Sequence, residues 1–93
     1  MNKSDLIEEL SKQVDIPLQE ATSIVSTILQ SMTQALVDGE NVEIRGFGSF
    51  TVRHYDSYTG RNPKTKEKVT VKAKKLPFFK VGKELREAVD GGV

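Results

Sequence analysis

Apolar residues recur along this chain at two different periods, and then almost cease. Over residues 3–14, Leu6, Ile7, Leu10 and Val14 fall on one face at helical spacing. Asn2 stands where an N-cap belongs, and Asp5 lies near the positive end of the helix dipole. Asp15-Ile16-Pro17 breaks the pattern, and proline suits the start of a second helix. That helix is predicted from about Leu18 to Val37, with Gly39 just past its end. Its apolar stripe (Ala21, Ile24, Val25, Ile28, Leu29, Met32, Ala35, Leu36) is longer than a first helix of about three turns covers. The surplus calls for another partner, and a second copy of the chain is the natural one.

The period then changes to two. Val42 and Ile44 alternate with polar neighbours in residues 41–45. Gly46-Phe47-Gly48 reads as a tight turn that sends Phe47 into the core, and Phe50 and Val52 resume the alternation. From His54 to Lys75 the aliphatic content falls to Val69, Val71 and Ala73. The β pattern persists: these three point one way, and Lys68, Thr70, Lys72 and Lys74 the other. A hairpin with its turn at Gly60–Thr65 pairs the two halves into an arm over residues 53–76, about 33 Å long. Pro77 is read as an interruption where the chain re-enters the body. Phe79 shares a core-facing strand side with Val81, while Phe78 has no assigned place. A short helix follows from Lys83 to about Val89, with Leu85 and Val89 inward, and Gly91-Gly92-Val93 should fray. The predicted fold is α+β, one domain over residues 1–93. It has a two-helix base, a three-stranded antiparallel sheet with a long protruding β-hairpin arm, and a short C-terminal helix.

Charge changes this picture. The net charge of +1 hides an asymmetry: residues 1–52 hold three Lys/Arg against eight Asp/Glu, and residues 53–86 hold eleven against three. A +8 segment on a protruding ribbon suits a polyanion. There is no cysteine, so neither a disulfide nor a thiolate site is available. His54 stands alone without a ligand cluster, no phosphate-binding glycine motif occurs, and no serine or threonine has an evident base partner. Neither an enzyme, a metal nor a cofactor is indicated. No apolar run approaches a membrane span and no secretory signal opens the sequence, so the expected location is the cytoplasm.

At the centre of the basic segment, Thr59-Gly60-Arg61-Asn62-Pro63-Lys64-Thr65 is a turn sequence. Pro63 is a compact apolar wedge between two cations, suited to the strongly negative minor groove and to a base step within it. On the plainer reading it only shapes the bend. Ile44-Arg45-Gly46-Phe47-Gly48-Ser49-Phe50, Gly60-Arg61-Asn62-Pro63-Lys64-Thr65 and Lys80-Val81-Gly82-Lys83-Glu84-Leu85, in this order and spacing, resemble the HU/integration host factor family over residues 1–90.

That resemblance implies an intertwined dimer whose two arms wrap double-stranded DNA in the nucleoid. It implies that Pro63 intercalates, that Arg61 and Asn62 enter the minor groove, and that Lys3, Lys80 and Lys83 meet phosphates. The tip cation Lys64, the arm cations Arg53, Lys72, Lys74 and Lys75, and Arg45 complete the candidate DNA-binding set. Phe47, Phe50, Phe79, Ile28, Leu29, Met32 and Leu36 form the candidate dimer core. Arg45 resembles the integration host factor beta subunit more than HU, which favours a heterodimer over a homodimer. Tyr55 and Tyr58 stand where many relatives of that family carry arginine, and Asp56 where they lack an acid, which leaves the lower arm less basic. An RNA-binding module is the rival class, disfavoured because the phenylalanines sit at core-alternating positions and a thin arm fits A-form grooves poorly.

Overall fold

The computed structural model describes residues 1–91. Its elements are α1 (Lys3–Val14), α2 (Leu18–Val37), β1 (Val42–Ile44), β2 (Gly48–Tyr55), β3 (Tyr58–Arg61), β4 (Lys68–Val71), β5 (Lys74–Val81) and α3 (Lys83–Asp90). Strands β1, β2 and β5 form an antiparallel sheet in the order β1-β2-β5, and β3 pairs with β4 in a separate two-stranded ribbon. The α+β class and the helix boundaries are those the pattern predicts. Of the residues expected to fray, Gly91 caps α3 with its amide donating to the Glu87 carbonyl at 2.6 Å, and residues 92 and 93 lie outside the described residues.

Local chemistry starts and stops the helices. Asn2 and Asp5 form a capping box: Asn2 Oδ1 accepts the Asp5 amide at 2.9 Å, and the Asn2 amide donates to Asp5 Oδ2 at 3.1 Å. Asp15 ends α1 in the left-handed region (φ 54°), and the Ser11 hydroxyl donates to the Ile16 carbonyl at 2.6 Å across the break. Gly39 (φ 82°) terminates α2.

Helices α1 and α2 meet through Ile7, Ala21 and Val25, with Leu10 and Ile16 against them. These three are the only buried apolar side chains among the described residues. The rest of the α2 stripe is at most partly buried: Ile28 is 53% exposed and Leu29 41%, while Met32, Ala35 and Leu36 are half-buried. The radius of gyration, 19.2 Å, far exceeds the ~12 Å of a compact domain of this length. The chain is an extended body with a projecting arm, and its own core is too small to account for its apolar surface.

The structure corrects several details of the sequence reading. The arm is jointed: β2–β5 pairing ends at Tyr55–Lys74, residues 56–57 and 72–73 are unpaired, and β3–β4 pairing begins at Tyr58–Val71. Gly60 and Arg61 lie within β3, so the turn comes later, closed by the Asn62 amide donating to the Glu67 carbonyl at 2.9 Å. Pro77 does not interrupt β5; it pairs opposite Val52 within an edge strand, where a missing donor is tolerated. Phe47 is 45% exposed and Val89 80% exposed, so neither is buried within the chain, although Phe47 packs in part against Phe79.

Candidate nucleic-acid interface

The tip is built around Asn62. Its carbonyl accepts the Lys66 amide at 2.7 Å, its amide donates to Glu67, and its Oδ1 accepts the Lys64 amide at 2.9 Å. Three bonds on one residue fix the turn, with Pro63 entering it between Asn62 and Lys64. The Asn62 side chain therefore has a structural role, which leaves only its amide nitrogen free for a ligand. Arg61 pairs across the ribbon with Lys68, so the β3–β4 end and its turn carry Arg61, Lys64, Lys66 and Lys68 against the single acid Glu67.

Behind the tip, strand register sorts the remaining cations by face. Ser49, Thr51, Arg53 and Tyr55 stand opposite Lys80, Phe78, Leu76 and Lys74 and share one face. Phe50, Val52 and His54 share the other with Phe79, Pro77 and Lys75. Lys75 also lines an open groove of about 390 Å³ with Thr33, Leu36, Val37, Val52, Leu76 and Pro77, on the α2 side. Arg53, Lys74 and Lys80 thus share the face turned away from α2, whereas Lys75 does not. Lys72 lies in the joint between β4 and β5. On the outer face the Arg53 guanidinium sits 3.4 Å from the Phe78 ring centre. This stacking gives Phe78 the place the sequence reading left open. Phe50 and Phe79 pack at 4.7 Å and Phe47 and Phe79 at 5.7 Å, so the three candidate core aromatics do form one cluster.

The β1–β2 turn holds a third group of cations. Gly46 takes φ 84°, and a Cβ on Gly48 would lie 2.5 Å from the Phe79 ring and 2.6 Å from the Lys80 carbonyl, so both positions require glycine. The Gly82 amide donates to the Phe47 carbonyl at 2.8 Å and the Leu85 amide to the Gly46 carbonyl at 3.0 Å. These bonds dock the start of α3 onto the turn and bring Lys83 towards Arg45. Lys83 makes an exposed ion pair with Glu87 at 4.0 Å, weak enough to yield to a phosphate. Lys3 opens α1 and borders a groove with Ser26, Leu29, Gln30, Thr33 and Gln34.

The interface candidates therefore form three sets: the tip, the outer sheet face, and the β1–β2 turn with α3. Phe78 was recoverable from alternation, since its neighbour Phe79 faces α2. Lys66 has a positive φ, 61°, that no sequence pattern reports. Among the described residues no group of His, Cys, Asp and Glu is arranged to hold a metal ion, and no helix is long and apolar enough to cross a membrane.

A helical base, a small sheet and a projecting cationic ribbon define an arm-bearing protein suited to an extended polyanion. A family model described as bacterial DNA-binding protein matches residues 1–90, and the chain belongs to that family, which comprises HU and integration host factor. It is 52% identical over 91 residues to integration host factor subunit beta of Histophilus somni, covering 97% of each chain. The corresponding subunit of Haemophilus influenzae is 48% identical over 91 residues, again with 97% of each covered. Among solved structures, an Anabaena HU–DNA cocrystal superposes with a TM-score of 0.85 at 34% identity, covering 97% of this chain and 98% of that one. HU from Thermotoga maritima gives a TM-score of 0.69 at 34% identity, with 97% and 100% covered.

Proposed function

We propose that this chain is an architectural DNA-binding subunit that dimerises, embraces duplex DNA with its arms in the minor groove, and bends it. The observation that carries the proposal is the tip: a hydrogen-bonded turn that holds Pro63 between Asn62 and Lys64, with the Arg61–Lys68 pair at its base. An apolar wedge entering a base step unstacks it and kinks the duplex. Cations along the arm and sheet, Arg53, Lys74 and Lys80, neutralise phosphates along the bend. Arg45 and Lys83 at the β1–β2 turn, and Lys3, add contacts from the body. The joint at residues 56–57 and 72–73 lets the β3–β4 ribbon turn relative to the sheet as it follows the groove. The assignment involves no catalysis, and it places the chain on the nucleoid in the cytoplasm.

Dimerisation follows from the uncovered surface. Ile28, Leu29, Met32, Leu36, Phe47, Phe50 and Phe79 line a continuous core when a second subunit supplies the missing half. Obligate interfaces of this kind bury about 2,000 Å² or more. Arg45, together with 52% identity to a protein named as a beta subunit, supports a heterodimer with a related chain. Native mass spectrometry of the chain alone and mixed with an alpha-type subunit decides between the two pairings.

Binding to duplex DNA across a salt series, together with ring closure of short duplexes, tests the function. Each neutralised phosphate contributes about −0.9 to the slope of log K against log salt. A flat salt response overturns the reading. Pro63→Ala should reduce bending far more than binding, since it removes the wedge and keeps the charge; unchanged cyclisation would reduce Pro63 to a turn former.

A further inference from the structure

Two non-glycine residues among those described have positive φ, Asp15 at 54° and Lys66 at 61°. Asp15 belongs to a residue type that tolerates this region, and it terminates a helix. Lys66 has no such compensation. Its Cβ crowds the adjoining carbonyl, and among the described residues no carboxylate lies within ion-pair distance of its ammonium, the single pair being Lys83–Glu87. The turn imposes the angle: with the Lys66 amide bonded to the Asn62 carbonyl at 2.7 Å and Asn62 bonded to Glu67, the chain must reverse at residue 66 to enter β4. Glycine or asparagine would occupy the position with less strain. A strained, exposed, unpaired cation at the closing end of the tip turn gives the fold nothing in return, and such outliers collect where a ligand is met.

We infer that Lys66 is a DNA-phosphate contact of the arm tip, holding the backbone beside the step that Pro63 opens. The inference rests on the DNA-bending reading above. Pro63 and Lys66 bracket the turn, so a wedge seated at Pro63 carries the Lys66 ammonium to the strand bordering the opened step. Lys64, on the proline side of the turn, serves the other border. The tip then grips a kinked step from both sides, which the sequence motif of Arg61, Asn62 and Pro63 does not by itself require.

The test uses the full chain with Lys66→Gly, Lys66→Asn and Lys66→Arg, measuring affinity for duplex DNA over a salt series, with thermal unfolding alongside. Glycine and asparagine should leave the melting temperature unchanged or raised. They should weaken binding and reduce the salt slope by about 0.9 for each arm. Arginine should keep both affinity and slope. Wild-type affinity and slope in the glycine and asparagine variants overturn the role of Lys66. Failure of the unsubstituted chain to bind DNA with a salt-dependent affinity overturns the DNA-bending reading itself, and the Lys66 contact with it.

Discussion

Removing the Phe78 ring should weaken DNA binding through a residue that itself never needs to touch DNA. The Arg53 guanidinium lies 3.4 Å from the ring centre, stacked on the outer face of the sheet. Stacking uses the face of the guanidinium and leaves its in-plane N–H donors free for a phosphate. An unstacked arginine must give up rotamer freedom on binding, whereas this one has already lost most of it. Phe78 is 38% exposed, so the exposed-site value for such a contact applies, about 0.5–1 kcal/mol. That corresponds to a loss of about two- to fivefold in affinity per arm for Phe78→Leu, which keeps apolar bulk but removes the π face. A double-mutant cycle with Arg53→Gln, read both in DNA affinity and in urea unfolding, isolates the coupling. Additive losses in both measurements would refute the reasoning, because Phe78 would then act only as surface apolar area.

Other consequences are simpler to read. Gly48→Ala places a methyl against the Phe79 ring and the Lys80 carbonyl, at 2.5 and 2.6 Å, and should cost about 1–3 kcal/mol in urea unfolding through strain at the β2–β5 pair. Phe79→Ala removes the shared neighbour of Phe47 and Phe50 and should cost about 3–5 kcal/mol per subunit, seen as a melting temperature that falls steeply on dilution. Asn2→Ala deletes one half of the α1 capping box and should cost about 0.5–2 kcal/mol in thermal unfolding.

The helices and the sheet were legible because their apolar spacing matches one period at a time. Asn2, Pro17 and Gly39 mark the helix boundaries in the sequence as they do in the structure. The turn was placed two residues early because Gly60 looks like a loop residue. In the structure Gly60 pairs with Val69 inside the ribbon, and Asn62 closes the turn instead. The joint in the arm was not legible. Alternation of Val69, Val71 and Ala73 runs straight through residues 72–73, and nothing in a period-two pattern reports that a ladder has lost its partner. The separation of Lys75 from Lys74 was legible, since neighbours in a strand face opposite ways. Charge counting passed over it because a sum has no direction. Exposure of Phe47 has a different origin: the sequence identifies an apolar aromatic between glycines, but which chain covers it is a property of the assembly.

Where one chain buries its own side chains, around Ile7, Ala21 and Val25, sequence period and structure agree. Beyond that patch, Ile28, Leu29, Phe47 and Phe79 stay between 37% and 53% exposed in the single chain. The β3–β4 ribbon buries almost nothing, and an isolated two-stranded ribbon is marginal in water. Its geometry is therefore held by the hydrogen bonds of Asn62 and by whatever the arm grips. Body and arm thus separate stability from recognition. On the proposed reading, substitutions at Gly48 or Phe79 should move both folding and binding, while those at Arg61, Pro63 or Lys66 should change DNA binding without loss of folding stability. An arm stabilised by its target also adapts to it. The unpaired residues 56–57 and 72–73 separate the two ladders, so a turn of the ribbon there leaves the pairing of β2 with β5 undisturbed.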